Sequence, residues 1–224
     1  LSSTVVLWAC ALLALLLLVR AVGFVWWERK TVIENELARA EMLARALDDQ
    51  ASRAVGTAGI LMDAFDDELS TYTTEQNGAS LDTTLRDAIA GMPFIRSFSL
   101  VDADGRVLAS SSAANRGKRL DPTHLPDYGV AHAPKGMVIG HPVRGRDLGD
   151  SALAQDEQGT PSALPLTFVP LARPLQLASG ATSHMIIALN TDYLANSYEL
   201  MLAEPGRSAA LLSYDGTVLA TTAG

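Results

Sequence analysis

The sequence predicts an α+β chain: a membrane-spanning helix, a long helical stretch continuing from it, then an antiparallel sheet with flanking helices. Three observations carry this. Residues 5–27 are almost wholly apolar, residues 28–72 repeat apolar side chains at a three-four spacing, and from residue 94 the apolar period drops to two.

The span comes first. Residues 5–19 carry no charge, and after Arg20 the apolar character resumes through Ala21, Val22, Phe24, Val25, Trp26 and Trp27. Roughly 20 apolar residues rising 1.5 Å each cross a hydrocarbon layer about 30 Å thick. The paired tryptophans sit where an interfacial aromatic belt belongs, with Glu28, Arg29 and Lys30 just beyond. Arg20 lies about 10 Å from Trp27 along a helix, so its side chain reaches that interface. The rival reading is a cleaved signal peptide, with residues 5–19 as its apolar region and Ala21-Val22-Gly23 as the cleavage site. A retained anchor is the reading adopted; both export the chain beyond residue 27. Leu7-Trp8-Ala9-Cys10 is not a lipoprotein box, because the apolar run comes after Cys10 instead of preceding it. Cys10 is the only cysteine, so no disulfide forms within the chain and the residue reads as apolar filler. Arg29 and Lys30 do not fix the orientation, since basic residues ahead of Leu1 would enter the same count.

The net charge of −8 and a pI of about 4.9 are a poor match for nucleic-acid binding, which needs a concentrated basic face. No repeat recurs at solenoid periods.

Residues 28–72 read as one helix. Ile33, Leu37, Ala40, Ala44, Leu47, Ala51, Val55, Ala58, Met62, Phe65 and Leu69 form a narrow seam, with charged residues such as Glu34, Arg39, Arg45 and Arg53 between its teeth. Such a seam packs on its own domain, pairs through its membrane-proximal half with a second copy in a homodimer, or does each along a different stretch. A shorter helix comes next, with Ser80 as N-cap, Asp82 in the first turn and a Leu81, Leu85, Ile89 stripe; Gly91 and Pro93 end it. Residues 94–101 and 106–110 then alternate as strands around an Asp102-Ala103-Asp104-Gly105 turn. Further strands are expected at 137–143, 166–171 and 185–189, and a helix at 191–202 with Thr191 as its N-cap; residues 110–115 and 147–162 read as loops. After Pro205-Gly206 a second hairpin, 209–213 and 217–221, repeats the chemistry of residues 100–109 around Asp215-Gly216. A lone hairpin builds no core, so a second domain is expected to begin there.

This order of elements resembles the double-Cache (PDC) extracytoplasmic sensor modules of bacterial membrane receptors. The resemblance rests on the long helix, on Phe98-Ser-Leu-Val-Asp-Ala-Asp-Gly-Arg-Val-Leu-Ala-Ser110, and on Val138-Ile-Gly-His-Pro-Val143. It continues through Val169-Pro-Leu-Ala-Arg-Pro-Leu175 and Ile187-Ala-Leu-Asn-Thr-Asp-Tyr-Leu194. It implies two PAS-like domains in series: a membrane-distal one at 73–206 and the beginning of a membrane-proximal one at 207–224, after a tail (1–4), a span (5–27) and the long helix (28–72). It further implies a bacterial inner-membrane protein whose chain after residue 27 lies in the periplasm or outside the cell. A histidine kinase, diguanylate cyclase or chemoreceptor output would lie across the membrane. The alternative is a membrane-anchored envelope binding or structural module without signalling output.

By position, the resemblance implies Tyr128, His132, Arg144, Arg146 and Arg173 as ligand-binding residues. An anionic metabolite suits such arginines, since a guanidinium grips a carboxylate with two bonds. Each has a plainer reading: Arg144 and Arg146 as a solvated loop pair, Tyr128 as a core edge, Arg173 as a structural ion pair. Amino-acid-binding members carry an Arg-x-Trp-Tyr-like run where this chain has His124-Leu-Pro-Asp-Tyr128, a departure that counts against an amino-acid ligand. No cofactor is expected. His124, His132, His141 and His184 are dispersed without metal-ligand spacing, and Asp121, His124 and Asp127 fit a solvated loop better than a metal site. Neither a nucleophile elbow nor a phosphate-cradling glycine loop is found, so the chain itself carries no catalytic constellation.

Overall fold

The computed structural model describes residues 3–71, 78–120, 136–153, 166–202 and 206–222. A single helix, α1 (Ser3–Ser70), runs through the span and the long stretch read separately from sequence. The chain divides into two compact units, Leu1–Ala46 and Leu47–Gly224.

The first unit is helix alone. It is long and apolar enough to cross a membrane, with a mean hydropathy of 1.9 over its most apolar window. Its leucines, valines and tryptophans from Leu12 to Trp27 are exposed. Beyond Trp27 the helix carries i,i+4 ion pairs, Lys30 to Glu34 at 3.8 Å and Arg45 to Glu41 at 2.5 Å, each worth about 0.3–0.5 kcal/mol at most.

In the second unit, the remainder of α1 packs on a six-stranded antiparallel sheet. The strands are β1 (Ile95–Asp102), β2 (Val107–Ser110), β3 (Val138–Ile139), β4 (Val143–Arg144), β5 (Thr167–Gln176) and β6 (Thr182–Asn190). Their order is β2-β1-β6-β5-β3, with β4 also pairing β5. Helices α2 (Gly78–Ala88), α3 (Leu148–Leu153) and α4 (Thr191–Leu202) flank it, and β7 (Ala210–Leu212) with β8 (Val218–Thr221) forms a separate two-stranded sheet.

From Leu47 onward the seam read from sequence is the buried face of α1: Leu47, Ala58, Met62 and Leu69, with Ala54 beside them, join Phe98, Leu100, Val169, Leu171, Met185 and Ile187 in one core, whereas Ile33 and Leu37 are exposed. The alanines keep the helix close to the sheet, and Phe65 meets Phe98 edge to face with centroids 5.6 Å apart. Leu81 and Leu85 of α2, Leu194 and Tyr198 of α4, and Ala220 of β8 close the same core. On the opposite face Val101, Ala172, Ile186 and Ala188 pack with Leu120, Val143 and Leu148 in a smaller one.

Several boundaries differ from the sequence expectation for physical reasons. Helix α2 begins at Gly78, so Ser80 lies inside it. Asp82 is buried, accepting from Ser110 N at 2.8 Å and from Arg116 Nη1 at 2.7 Å instead of serving the helix terminus. The strand expected at 137–143 is two short strands split at Gly140-His141-Pro142. The split falls opposite Pro170 of β5: β3 pairs with Leu171 and Ala172, and β4 with Thr167 and Phe168. Proline offers the ladder no N–H there, while its carbonyl still accepts from Gly140 N at 2.8 Å. Strand β5 is correspondingly longer than read, because its Pro170 and Pro174 sit across from Ala188 and His184 without breaking the β6 register. Asn190, not Thr191, caps α4: its Oδ1 accepts from Tyr193 N, while Thr191 Oγ1 donates to Thr167 O. Part of the 147–162 loop is helical, as α3. Both Asp-Gly turns are as expected, with Gly105 and Gly216 at φ 80° and 86°. A Cβ on Gly105 would also stand 2.8 Å from Leu120 O.

Candidate functional site

Antiparallel register places cross-strand partners on the same side of a sheet. The face turned away from α1 therefore has three rows. Ser97, Ala188 and Pro170 form the first, Ser99, Ile186 and Ala172 the second, and Val101, His184 and Pro174 the third. Small side chains dominate the first row, the face is covered by the smaller core with Leu120, Val143 and Leu148, and among its described residues none is acidic or basic apart from His184. Burial lowers the His184 pKa from 6.5, which keeps the imidazole neutral at pH 7.

One edge of this face is fixed by a buried polar chain. Ser99 Oγ and Ser110 Oγ share a hydrogen bond of 2.8 Å, Asn115 Nδ2 donates to Ser110 Oγ at 3.3 Å, and Asn115 Oδ1 accepts from Gly149 N at 2.7 Å. Residue 149 must be glycine here, because a Cβ would lie 2.6 Å from Asn115 Oδ1 and 2.8 Å from Ala114 O. The chain thus ties β1 and β2 to the start of α3. Ser97, by contrast, is fully buried and its hydroxyl has no hydrogen-bond partner among the described residues.

Where β1 and α4 begin, a cleft of about 340 Å³ is lined by Arg96, Arg146, Asn190, Asp192, Tyr193 and Asn196 among others. Arg96 spans it. Its Nε donates to Asn190 Oδ1 at 3.0 Å, Nη1 to Arg146 O at 2.8 Å, and Nη2 to Asp192 Oδ2. Burial lowers the Arg96 pKa, and the Asp192 carboxylate opposes that shift. One guanidinium therefore holds the loop after β4, the cap of α4 and the start of β1 together.

The sequence-predicted residues fall in separate places. Arg146 lines the cleft. Arg144 is exposed on β4, in register with Thr167. Arg173 shares the α1-facing side of β5 with Leu171, since Ala172 between them lies on the opposite face. It makes a 2.5 Å ion pair with Asp63 of α1, in which Arg173 is 12% exposed and Asp63 68%. This is the structural ion pair its spacing also allowed. Tyr128 and His132 lie outside the described residues, as do Asp121, His124 and Asp127. Among the described residues no cluster of three or more potential metal ligands occurs. Sequence reading missed Arg96, Ser97 and Ser99. For the serines the signal was the alternation of polar and apolar residues in Ser97-Phe-Ser-Leu100; Arg96 carried none.

No family model matches the sequence, and no curated protein does either. Solved structures do match. The extracellular domain of the putative histidine kinase rpHK1S-Z16 is similar at a TM-score of 0.62 and 19% identity, over 83% of this chain and 71% of that one. The sensory domain of the Campylobacter jejuni chemoreceptor Tlp3, with isoleucine bound, gives 0.55 at 12% identity over 87% and 74%. The ligand-binding domain of the Pseudomonas aeruginosa amino-acid chemoreceptor PctC, in complex with GABA, gives 0.51 at 15% identity over 80% and 72%. The chain has the fold of the PDC/Cache-like extracellular sensory domains of histidine kinases and chemoreceptors.

Proposed function

We propose that this chain is the extracytoplasmic ligand-sensing part of a bacterial inner-membrane receptor, anchored through residues 5–27. The observation that carries the proposal is the two-faced sheet within the sensory-domain fold. Strands β1, β5 and β6 bear α1 on one side and the smaller core on the other, so a ligand held over that second face acts on the same strands that hold the helix. A ligand moves such an equilibrium only by binding its two states unequally.

The Tlp3 and PctC structures contain isoleucine and GABA, and a small metabolite is the corresponding ligand proposed here. Arg144 and Arg146, with Tyr128 and His132 from the preceding segment, are proposed as its polar contacts, and Arg173 as the link from β5 to α1. A homodimer through α1 is part of the proposal. Gly56, Ile60 and Ala64 recur at four-residue spacing on the helix's outer side, and Ile60 is 70% exposed. The output is proposed to be a histidine kinase or diguanylate cyclase.

The test is a hybrid receptor in which this chain replaces the matching segment of a histidine kinase of known output. Output that changes with an added metabolite supports the proposal. Saturable binding with constant output would instead favour an envelope binding module without signalling.

A further inference from the structure

Helix α4 is held at its start by the sheet and, two turns on, itself holds α1. Strand β6 runs into it without a loop, ending at Asn190 where the helix opens at Thr191. At this first turn Arg96 of β1 binds Asn190 and Asp192, and Thr191 Oγ1 donates to Thr167 O of β5. The same guanidinium donates to Arg146 O, so the loop that carries a proposed ligand contact is tied to the helix start. Further along, the fully buried Tyr198 donates from its hydroxyl to Leu47 O at 3.3 Å, and Gln50 Nε2 donates to Ser197 Oγ at 2.6 Å. Burial, with the Asp48 carboxylate, raises the Tyr198 pKa, so the phenol keeps its proton at pH 7. Leu47 is where α1 enters the second compact unit. The grip there is incomplete: Gln50 Oε1 is buried and has no hydrogen-bond partner among the described residues. One end of the amide stays unmade however the group is turned. A buried polar group left unmade is costly, so this contact is readily exchanged for another arrangement.

From this we infer that α4 is the lever by which the sensory site acts on α1. Tyr198 and Gln50 are its positioning residues, a hook on α1 that holds in one signalling state and lets go in the other. The lever is a rigid helix of 12 residues, about 18 Å long, so a shift of its first turn is carried to the hook. Arg173 grips α1 at Asp63, about 24 Å deeper along the helix than Leu47, which leaves the entry of α1 to α4. The inference rests on the sensor reading and specifies how its site reaches the helix.

Hydrogen exchange on the full chain in lipid nanodiscs tests the coupling without any ligand. Amides 48–54 of α1 are compared with those of β6 in the parent, Asp192→Asn, Tyr198→Phe and the double variant. Asp192→Asn, which frees the first turn of α4 from Arg96, should speed exchange at 48–54 by about threefold or more relative to β6, the loss of one hydrogen bond's worth of hold. Tyr198→Phe, which removes only the hydroxyl, should do the same, and in the double variant the two effects should not multiply, because both act through one hook. The hybrid receptor reads the consequence. Tyr198→Phe should change its output without added metabolite by about threefold or more, at an unchanged membrane level. Thr57→Ala, which removes a hydroxyl bonded to Arg53 O within α1, should leave that output as it is. Exchange at 48–54 unmoved by Asp192→Asn overturns the inference, and so do effects that multiply in the double variant, faster exchange shared equally by β6, or parental output from Tyr198→Phe. The sensor reading fails separately, when the hybrid receptor responds to no metabolite; the exchange measurements need none.

Discussion

Removing Asp63 should destabilise the second unit more than removing Arg173, although Arg173 is the buried member of the pair. Arg173 is 12% exposed and its Nε is buried without a hydrogen-bond partner among the described residues, while Asp63 is 68% exposed. Asp63→Ala leaves a guanidinium against the core with its one carboxylate gone. Full loss of a partner in a buried pair costs about 3–5 kcal/mol, but solvent on the Asp63 side screens much of that, leaving about 1–2 kcal/mol. Arg173→Met removes the charge, the orphaned Nε and the pair together while keeping apolar bulk beside Leu171. Replacement of an ion pair by packed apolar groups is often near neutral, so its cost should stay within about 1 kcal/mol of zero. The assay is thermal and urea unfolding of both single variants and the double variant, with about 2–4 °C of Tm per kcal/mol expected at this size. In the double variant the Asp63→Ala penalty should vanish, because no guanidinium remains to be stranded. Asp63→Ala melting with the parent while Arg173→Met melts several degrees lower would refute this, and would show that Arg173 is held by contacts other than Asp63.

Other parts of the fold set three further outcomes. Gly149→Ala should cost about 1–3 kcal/mol, an overpacking penalty, since its Cβ would lie 2.6 Å from Asn115 Oδ1; urea unfolding measures it, and Asn115→Ala should relieve part of it. Phe98→Ala, which empties a fully buried site against Phe65, should cost about 3–5 kcal/mol by the same measurement. His184 is depressed by burial, so between its unfolded pKa of about 6.5 and its lower folded value the unfolded chain binds more protons. Stability should therefore be full above about pH 6.5 and fall as pH drops through that window, and His184→Gln should flatten this part of a Tm-against-pH curve.

The sequence was legible where one physical signal dominated. The three-four seam from Leu47 to Leu69 became the buried face of α1, and the two Asp-Gly turns fell at Gly105 and Gly216, because each rests on local periodicity or a backbone requirement. What escaped depended on partners far along the chain. Asp82 looked like a first-turn carboxylate and is a ligand for Ser110 N and Arg116, which no local pattern reveals. Residues 137–143 read as one strand because Pro170, where the partner ladder splits, belongs to β5. Arg173 was singled out by the resemblance, but which face it occupies is set by the β5–β6 register, not by its own neighbours. Ser97 was passed over because only the strand register shows that it lies across from Ala188 on the face turned away from α1.

The central claim is that a small molecule binds the sheet face opposite α1. Its most direct test is hydrogen exchange on the full chain in nanodiscs, with and without a metabolite shown by calorimetry to bind saturably. The account predicts slowed exchange concentrated in β1, β5 and β6 around Ser97, Ala172 and Ala188. Saturable binding that protects only the cleft around Arg96 and Asp192, or only residues of α1, would contradict it.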